Sequence, residues 1–338
     1  MLRPLEEHEI NQVLGQNFKI WSPGLSPARY LHYQWWQLQD PWGRRNLKYW
    51  GYSEKTPTAA VQGKVVASCK LYDFSYQSQS RIFKAAGVGA VFVAENDRGK
   101  SAGQKLLKEL ISYCTDAQYD FMVLNSDIDP GYYERLGFRL FEPSAFRINV
   151  DEIWLDYAIA ELNKHCDTSV KDSFSVRPVS LKDVEEIVRH HQRWLAQQPY
   201  GMRRSDDYME FKLGRELYLK EHSALGWPQM DIISVNEGKY AGGYALVEQA
   251  GPFLRILEVI GPAPVRHSLW RQILKLAKIR GIMIIRGWTK SAPALKGVEF
   301  HMRDWSFPMI MPLKDDIKER VLGWTRIKPP CLLELDHF

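Results

Sequence analysis

The stretch Arg98-Gly99-Lys100-Ser101-Ala102-Gly103-Gln104 sets small residues and two cations between two apolar patterns. Small side chains let an anion approach backbone N–H groups that a bulkier residue would block. Where a helix begins, its first N–H groups have no partner inside the helix, and the helix dipole adds partial positive charge. Those two properties make such a turn a site for phosphate.

The flanking elements are the ones needed to hold that turn. Val88 to Val93 is a short apolar, β-branched run that predicts a buried strand, and Gly87 and Gly89 upstream predict a bulge or a close approach. Glu95-Asn96-Asp97 ends it. Leu106, Leu107, Leu110 and Ile111 then follow at helical spacing. Phe121 to Leu124 predicts a second strand, and Tyr132-Tyr133-Glu134-Arg135-Leu136-Gly137-Phe138 follows it.

Together these segments resemble the GNAT superfamily of acyl-CoA-dependent N-acetyltransferases. Its loop reads Arg/Gln-x-x-Gly-x-Gly/Ala, and a Phe-Tyr-Glu-Lys-Leu-Gly-Phe segment comes later. Arg98, Ala102 and Gly103 match the first register, and Tyr133, Gly137 and Phe138 the second. Ser101 stands at the usual first glycine; it is small and its hydroxyl is a possible phosphate donor.

The resemblance implies acetyl-CoA as cosubstrate, no metal, and a small-molecule or peptide amine as acceptor. It implies that Val91, Phe92 and Val93 present backbone N–H groups to the thioester oxygen, and that Arg98 to Gln104 hold the diphosphate. Tyr133 takes the place of the tyrosine that protonates the leaving thiolate, with Tyr132 structural. A phenol near pKa ~10 and a thiol near ~8.5 are close enough for that exchange to help.

Two other readings compete. Ala94-x-x-x-x-Gly99-Lys100-Ser101 fits a loose phosphate-loop pattern for nucleotide hydrolysis. That reading needs further parallel strands and an acid ending one of them to hold magnesium, whereas the next strand ends Leu124-Asn125. A non-catalytic acetyl-CoA sensor or scaffold is the other.

With 338 residues the chain is long enough for two domains. A net charge of +5 suits a polyanionic cosubstrate and is too small to argue for nucleic acid. Cys69, Cys114, Cys166 and Cys331 form no Cys-x-x-Cys pair, which argues against a zinc ribbon and fits a reducing cytoplasm. Met1 to Glu7 does not read as a secretory leader, and no apolar run approaches the ~20 residues of a membrane span. Nothing in the sequence specifies an oligomeric state.

The second half repeats the first. Val176-Arg177-Pro178-Val179 matches Leu2-Arg3-Pro4-Leu5, and a hairpin signal at Val235-Asn236-Glu237-Gly238-Lys239 matches Val61-Gln62-Gly63-Lys64-Val65, both at a spacing of 174 (176 − 2 and 235 − 61). Ile282 to Ile285 echoes Phe121 to Leu124. The copy lacks the glycine loop: Pro264 to Trp270 stands there, with Trp270 expected to fill the pyrophosphate space.

The expected fold is therefore α+β, with two tandem GNAT-like domains, each a mixed, mostly antiparallel twisted sheet flanked by helices. Residues 1–150 form the catalytic domain, 151–173 a bridging helix and linker, and 174–338 the degenerate copy. The aromatic segment 29–52 serves either as packing or as an acceptor floor, with His32, Trp35 and Trp36 as candidate acceptor contacts. Candidates for the amine's proton are Glu95, His32, a water chain and the terminal carboxylate of Phe338. The His190-His191 pair is expected at the surface or in a cap.

Overall fold

A computed structural model describes residues 1–53, 64–141, 144–164, 174–235, 242–327, 331 and 333–337. The two hairpin signals fall largely on residues 54–63 and 236–241, outside those described, as does Phe338.

The first half runs β1 (Leu2–Pro4), α1 (Glu7–Trp21), α2 (Pro27–Gln39), α3 (Pro41–Asn46), β2 (Leu47–Ser53), β3 (Val65–Ser78), β4 (Arg81–Val93), α4 (Ala102–Asp116), β5 (Phe121–Ser126), α5 (Gly131–Glu134) and β6 (Arg139–Leu140). Then come β7 (Ser144–Asn149), α6 (Glu152–Lys164), β8 (Phe174–Pro178), α7 (Val184–Leu195), β9 (Gly201–Met202) and α8 (Asp206–His222). The chain continues with β10 (Gln229–Val235), β11 (Gly243–Ala250), β12 (Phe253–Ile260), α9 (Ala263–Ile279), β13 (Ile284–Trp288), β14 (Glu299–Met302), β15 (Phe307–Pro312) and α10 (Asp315–Trp324).

Two mostly antiparallel sheets result, and the repeat is visible in their order. One reads β1-β2-β3-β4-β5-β15-β6, with β9 added beside β3; the other reads β8-β10-β11-β12-β13-β7-β14. The slot beside β5 is filled by β15 from the second half, through pairs such as Met309 with Leu124. The slot beside β13 is filled by β7 from the first half, through pairs such as Ile148 with Ile285. Each copy lends the other one strand. The boundary expected at residue 150 therefore follows a strand that already belongs to the second sheet, and the first sheet is completed only by residues 307–312.

Alternation along the strands explains the layers. Cys69, Leu71, Ala86, Val88, Met122 and Leu124 face α4 through its buried Leu106, Leu107 and Leu110. Tyr72, Phe74, Tyr76, Phe83 and Phe121 face the other way and meet Ile232, Tyr244, Leu246 and Leu257 of the second sheet in one shared core. The outer face of the second sheet packs on α9 and α6 through Leu155, Ala158 and Leu162. The helix expected to bridge the halves is thus a layer of the second one.

Two further expectations change. Val88–Val93 is not a short strand of its own but the end of a longer one that begins at Arg81. His190 and His191 are buried, 4% and 1% exposed, against the shared core, and desolvation holds His191 well below the usual imidazole value and so neutral.

Candidate functional site

In the first sheet β4 and β5 are the only parallel neighbours among the described residues, joined from Ala85–Phe121 to Val88–Leu124. Beyond Leu124 they part, because β4 bends at a bulge. Its partner β3 pairs Lys70 with Gly89 and Ser68 with Phe92, so β4 carries an extra residue there, and Ala90 has φ +48°. Between Gly89 and Val93 the strand keeps β3 on one side, while its ladder with β5 has ended. The side turned away from β3 has no strand partner over this stretch, and the Val93 carbonyl accepts from Arg98 Nε at 3.4 Å.

The turn from Ala94 to Ser101 leads from this gap to the N-terminus of α4. Asp97, buried, anchors it by accepting from Lys64 Nζ and Lys100 Nζ, each at 3.2 Å, which holds its carboxyl below the usual range. Gly99 and Ser101 have φ +77° and +64°, a conformation that suits glycine and strains serine. It turns the chain so that the first N–H groups of α4 face a cavity of about 440 Å³.

Of the residues singled out in the sequence, Val93, Arg98, Gly99, Ser101, Ala102, Gly103 and Gln104 line this cavity. Lys100 does not, because its ammonium serves Asp97. Val91 and Phe92 also lie outside the lining: Val91 packs on the first-half core and the Phe92 ring meets Trp21 edge-on at 6.2 Å.

Asp97, Tyr132 and Arg135 join the lining without having been expected. Tyr132 and Arg135 are three residues apart at α5, a spacing that sets two side chains on one face and was readable in advance. A Cβ on Gly103 would sit 3.1 Å from the Tyr132 hydroxyl and 3.0 Å from Val93 Cγ2. Tyr132 thus closes over the glycine and is part of the cradle.

Tyr133 sits deeper beside it, the two rings meeting edge-on at 5.1 Å. It is 7% exposed, clusters with Val88 and Leu124 at the point where the strands part, and meets Phe138 edge-on at 6.0 Å. Burial first, then the fields of Tyr132, Cys69 and Asp127, push its phenol above the usual value. It stays protonated at any working pH.

The acceptor candidates are not at this cavity. His32 Nδ1 is 2.8 Å from Tyr218 Oη, Trp36 stacks on Phe211 at 6.1 Å, and Trp35 Nε1 donates to Asn11 at 2.8 Å. Tyr218 and Phe211 belong to α8, so the first two hold the halves together. Trp42 and Trp50, 5% exposed each, are core. Glu95 is exposed in a single 3₁₀ turn. Cys331, Leu333 and Leu335 are buried.

On the face of the sheet away from α4, Lys70 is 7% exposed and faces Gly89 across the ladder. Its Nζ donates to Gln34 Oε1 at 2.8 Å and Gln37 Oε1 at 3.2 Å. Desolvation, then the charge of Arg215, pushes it well below the usual ammonium value.

Among the described residues the second copy has no comparable cradle. β12 ends at Ile260 and α9 begins at Ala263, so Gly261-Pro262 replaces the long turn between Val93 and Ala102. Trp270 is not in the pyrophosphate position: it lies two turns into α9, donates to the Ser291 carbonyl at 3.1 Å and meets Phe146 edge-on. Among the described residues no group of His, Cys, Asp and Glu could hold a metal ion, and no helix is long and apolar enough to cross a membrane.

Residues 2–141 match the family model of the acetyltransferase (GNAT) domain, and the match stops where the chain crosses to the other sheet. No protein of curated function matches the sequence. Among solved structures, a GCN5-related N-acetyltransferase from Anabaena variabilis superposes at TM-score 0.66 with 14% identity, covering 93% of this chain and 73% of that one. A probable N-acyltransferase from Enterococcus faecalis gives 0.64 at 13% identity, covering 93% and 72%. A GCN5-related N-acetyltransferase from Kribbella flavida gives 0.60 at 15% identity, covering 92% and 70%. At these identities the likeness establishes the shared two-sheet fold.

Proposed function

Because residues 2–141 match the family model of the acetyltransferase (GNAT) domain, we propose that the protein moves an acetyl group from acetyl-CoA to a primary amine by direct attack. The observation that carries this reading is the cavity at the start of α4, continuous in sequence with the splayed end of β4. The diphosphate of CoA rests on the N–H groups of Ala102, Gly103 and Gln104, with Arg98 and Arg135 supplying charge. Tyr132 closes over it.

The thioester lies in the gap between β4 and β5, its oxygen toward the backbone N–H groups of Val91 to Val93. Hydrogen bonds aimed there stabilise the oxyanion that forms when the neutral amine attacks. The C–N bond forms, the C–S bond breaks, and the amine's proton leaves to solvent or a nearby base. Tyr133 donates a hydrogen bond from its hydroxyl to the departing sulfur. With its phenol raised, it acts mainly by hydrogen bonding and keeps its proton, and the released thiolate takes one from solvent to become free CoA thiol.

Titration calorimetry tests the site. One acetyl-CoA per chain is expected, since only the first copy has a cradle, and Gly103→Trp should abolish binding. Two sites per chain, or retained affinity in that variant, would refute the assignment. Release of CoA thiol with a panel of amines separates an enzyme from a sensor.

A further inference from the structure

The connection from β14 to β15, residues 303–306, carries the chain between the sheets and holds buried polar atoms with no hydrogen-bond partner. They are Arg303 Nε, Arg303 Nη1 and Ser306 Oγ. Arg303 is 6% exposed, and its guanidinium carbon lies 3.8 Å from the centroid of the Trp288 ring. Stacking satisfies the face of a guanidinium but not its N–H groups. Leaving those dry costs free energy, and burial lowers Arg303 to about 10.

The complementary defect is close by. Glu334 is 4% exposed; its Oε1 accepts from Arg255, while its Oε2 has no partner. Arg303 and Glu334 feel each other's charge, yet no hydrogen bond joins them among the described residues. Buried donors and a buried acceptor thus share one neighbourhood without pairing. Met302 and Trp305, 64% and 43% exposed, flank the arginine in sequence at the surface. The Trp305 ring carries Arg255 at 5.8 Å and meets His337 at 6.0 Å.

The same connection reaches the end of β5. The backbone N–H of Ser306 donates to Asp127, which follows β5, and the charge of Asp127 acts on Tyr133. We propose that Arg303 and Glu334 are an acceptor site for an amino-acid-like ligand, one with a carboxylate and an amine on neighbouring atoms. Arg303 takes the carboxylate and Glu334 Oε2 takes an amine N–H. One guanidinium beside a carboxylate suits a monoanion with a donor attached; a phosphate dianion would be repelled by Glu334. The inference rests on the acetyl-transfer reading and adds the acceptor's class to it.

The test uses the full chain at saturating acetyl-CoA. CoA release is compared for α-amino acids and for the amines left when each loses its carboxylate. Wild type should prefer the amino acids by about 10- to 100-fold in kcat/KM, the range for one hydrogen bond to a charged group. Arg303→Gln should lose that preference and leave the KM for acetyl-CoA unchanged. No preference in wild type, or an undiminished one in Arg303→Gln, would overturn the site. The wild-type comparison needs no variant, so a misfolded Arg303→Gln cannot rescue the idea. Calorimetry with amino acids alone reads this site even if acetyl-CoA fails to bind at α4, which separates the two failures. A soaked crystal showing only water between Arg303 and Glu334 would also refute it.

Discussion

Replacing Ser101 by glycine should stabilise the protein, although it removes a side chain. Ser101 has φ +64° and ψ 12°, and its hydroxyl caps nothing in α4. A left-handed conformation costs a residue with a Cβ about 1–2 kcal/mol. Glycine avoids that cost but loses about 0.5–1 kcal/mol more backbone entropy on folding. The difference favours glycine by roughly 0.5–1 kcal/mol. For a chain of this length, an unfolding entropy of about 2.1 cal/mol/K per residue turns that into a rise in Tm of only about 1 °C. Urea denaturation read by fluorescence is therefore the better assay. Ser101→Ala keeps the Cβ and should stay near wild type, while Ser101→Val adds a branched side chain and should fall below it. An order in which alanine equals or exceeds glycine would refute the argument, because it would show that the backbone there is not left-handed. Acetyl-CoA affinity adds a second readout. If backbone N–H groups do the binding, Ser101→Gly keeps it within a few-fold.

Tyr133→Phe keeps the ring in its core position and removes the hydroxyl; turnover should fall about 10²-fold with acetyl-CoA affinity held within a few-fold, as rapid-quench and binding measurements would show. Tyr132→Phe should instead weaken acetyl-CoA binding, since its hydroxyl lies over Gly103. Glu248 is raised to about 7 by desolvation, opposed by Arg255. A carboxyl raised on folding favours the folded state below its unfolded value near 4.5 and loses that contribution as pH climbs to about 7. Glu248→Gln should therefore gain stability relative to wild type between pH 5 and 8 in thermal melts; a gap independent of pH would contradict this.

Much of the first-half site was legible because its signals are local. Arg98, Gly99 and Ser101 to Gln104 sit on one continuous turn, and the strand-loop-helix pattern fixes where that turn must lie. The reading failed where a side chain's partner is distant in sequence. Lys100 is the exception: the Asp97 that holds its ammonium is only three residues away, brought round by the left-handed Gly99. Tyr132 and Tyr133 are neighbours, and only the geometry of α5 decides which meets the cradle and which the core. Trp36 and His32 suit an amine site until α8, some 180 residues later, supplies Phe211 and Tyr218. Lys70 reads as an ordinary surface lysine in a strand; its burial depends on Gln34 and Gln37 from α2. The exchange of strands left no trace at all, because neither the alternation of β7 nor the continuous buried run of β15 says which sheet receives it.

That exchange has a consequence during synthesis. Translation delivers the chain from its N-terminus, so β5 leaves the ribosome long before β15, which must lie beside it. The interval between Ser126 and Pro312 is 186 residues (312 − 126), or roughly 10 to 40 seconds at ~5–20 residues per second. For that time Met122 to Leu124 is an open, apolar edge beside a helix that has already formed, the kind of strand that recruits other chains. Crowded polysomes translating this message should therefore carry a chaperone-dependent intermediate, and a stop codon anywhere before residue 307 should yield an aggregating product, not a smaller working enzyme.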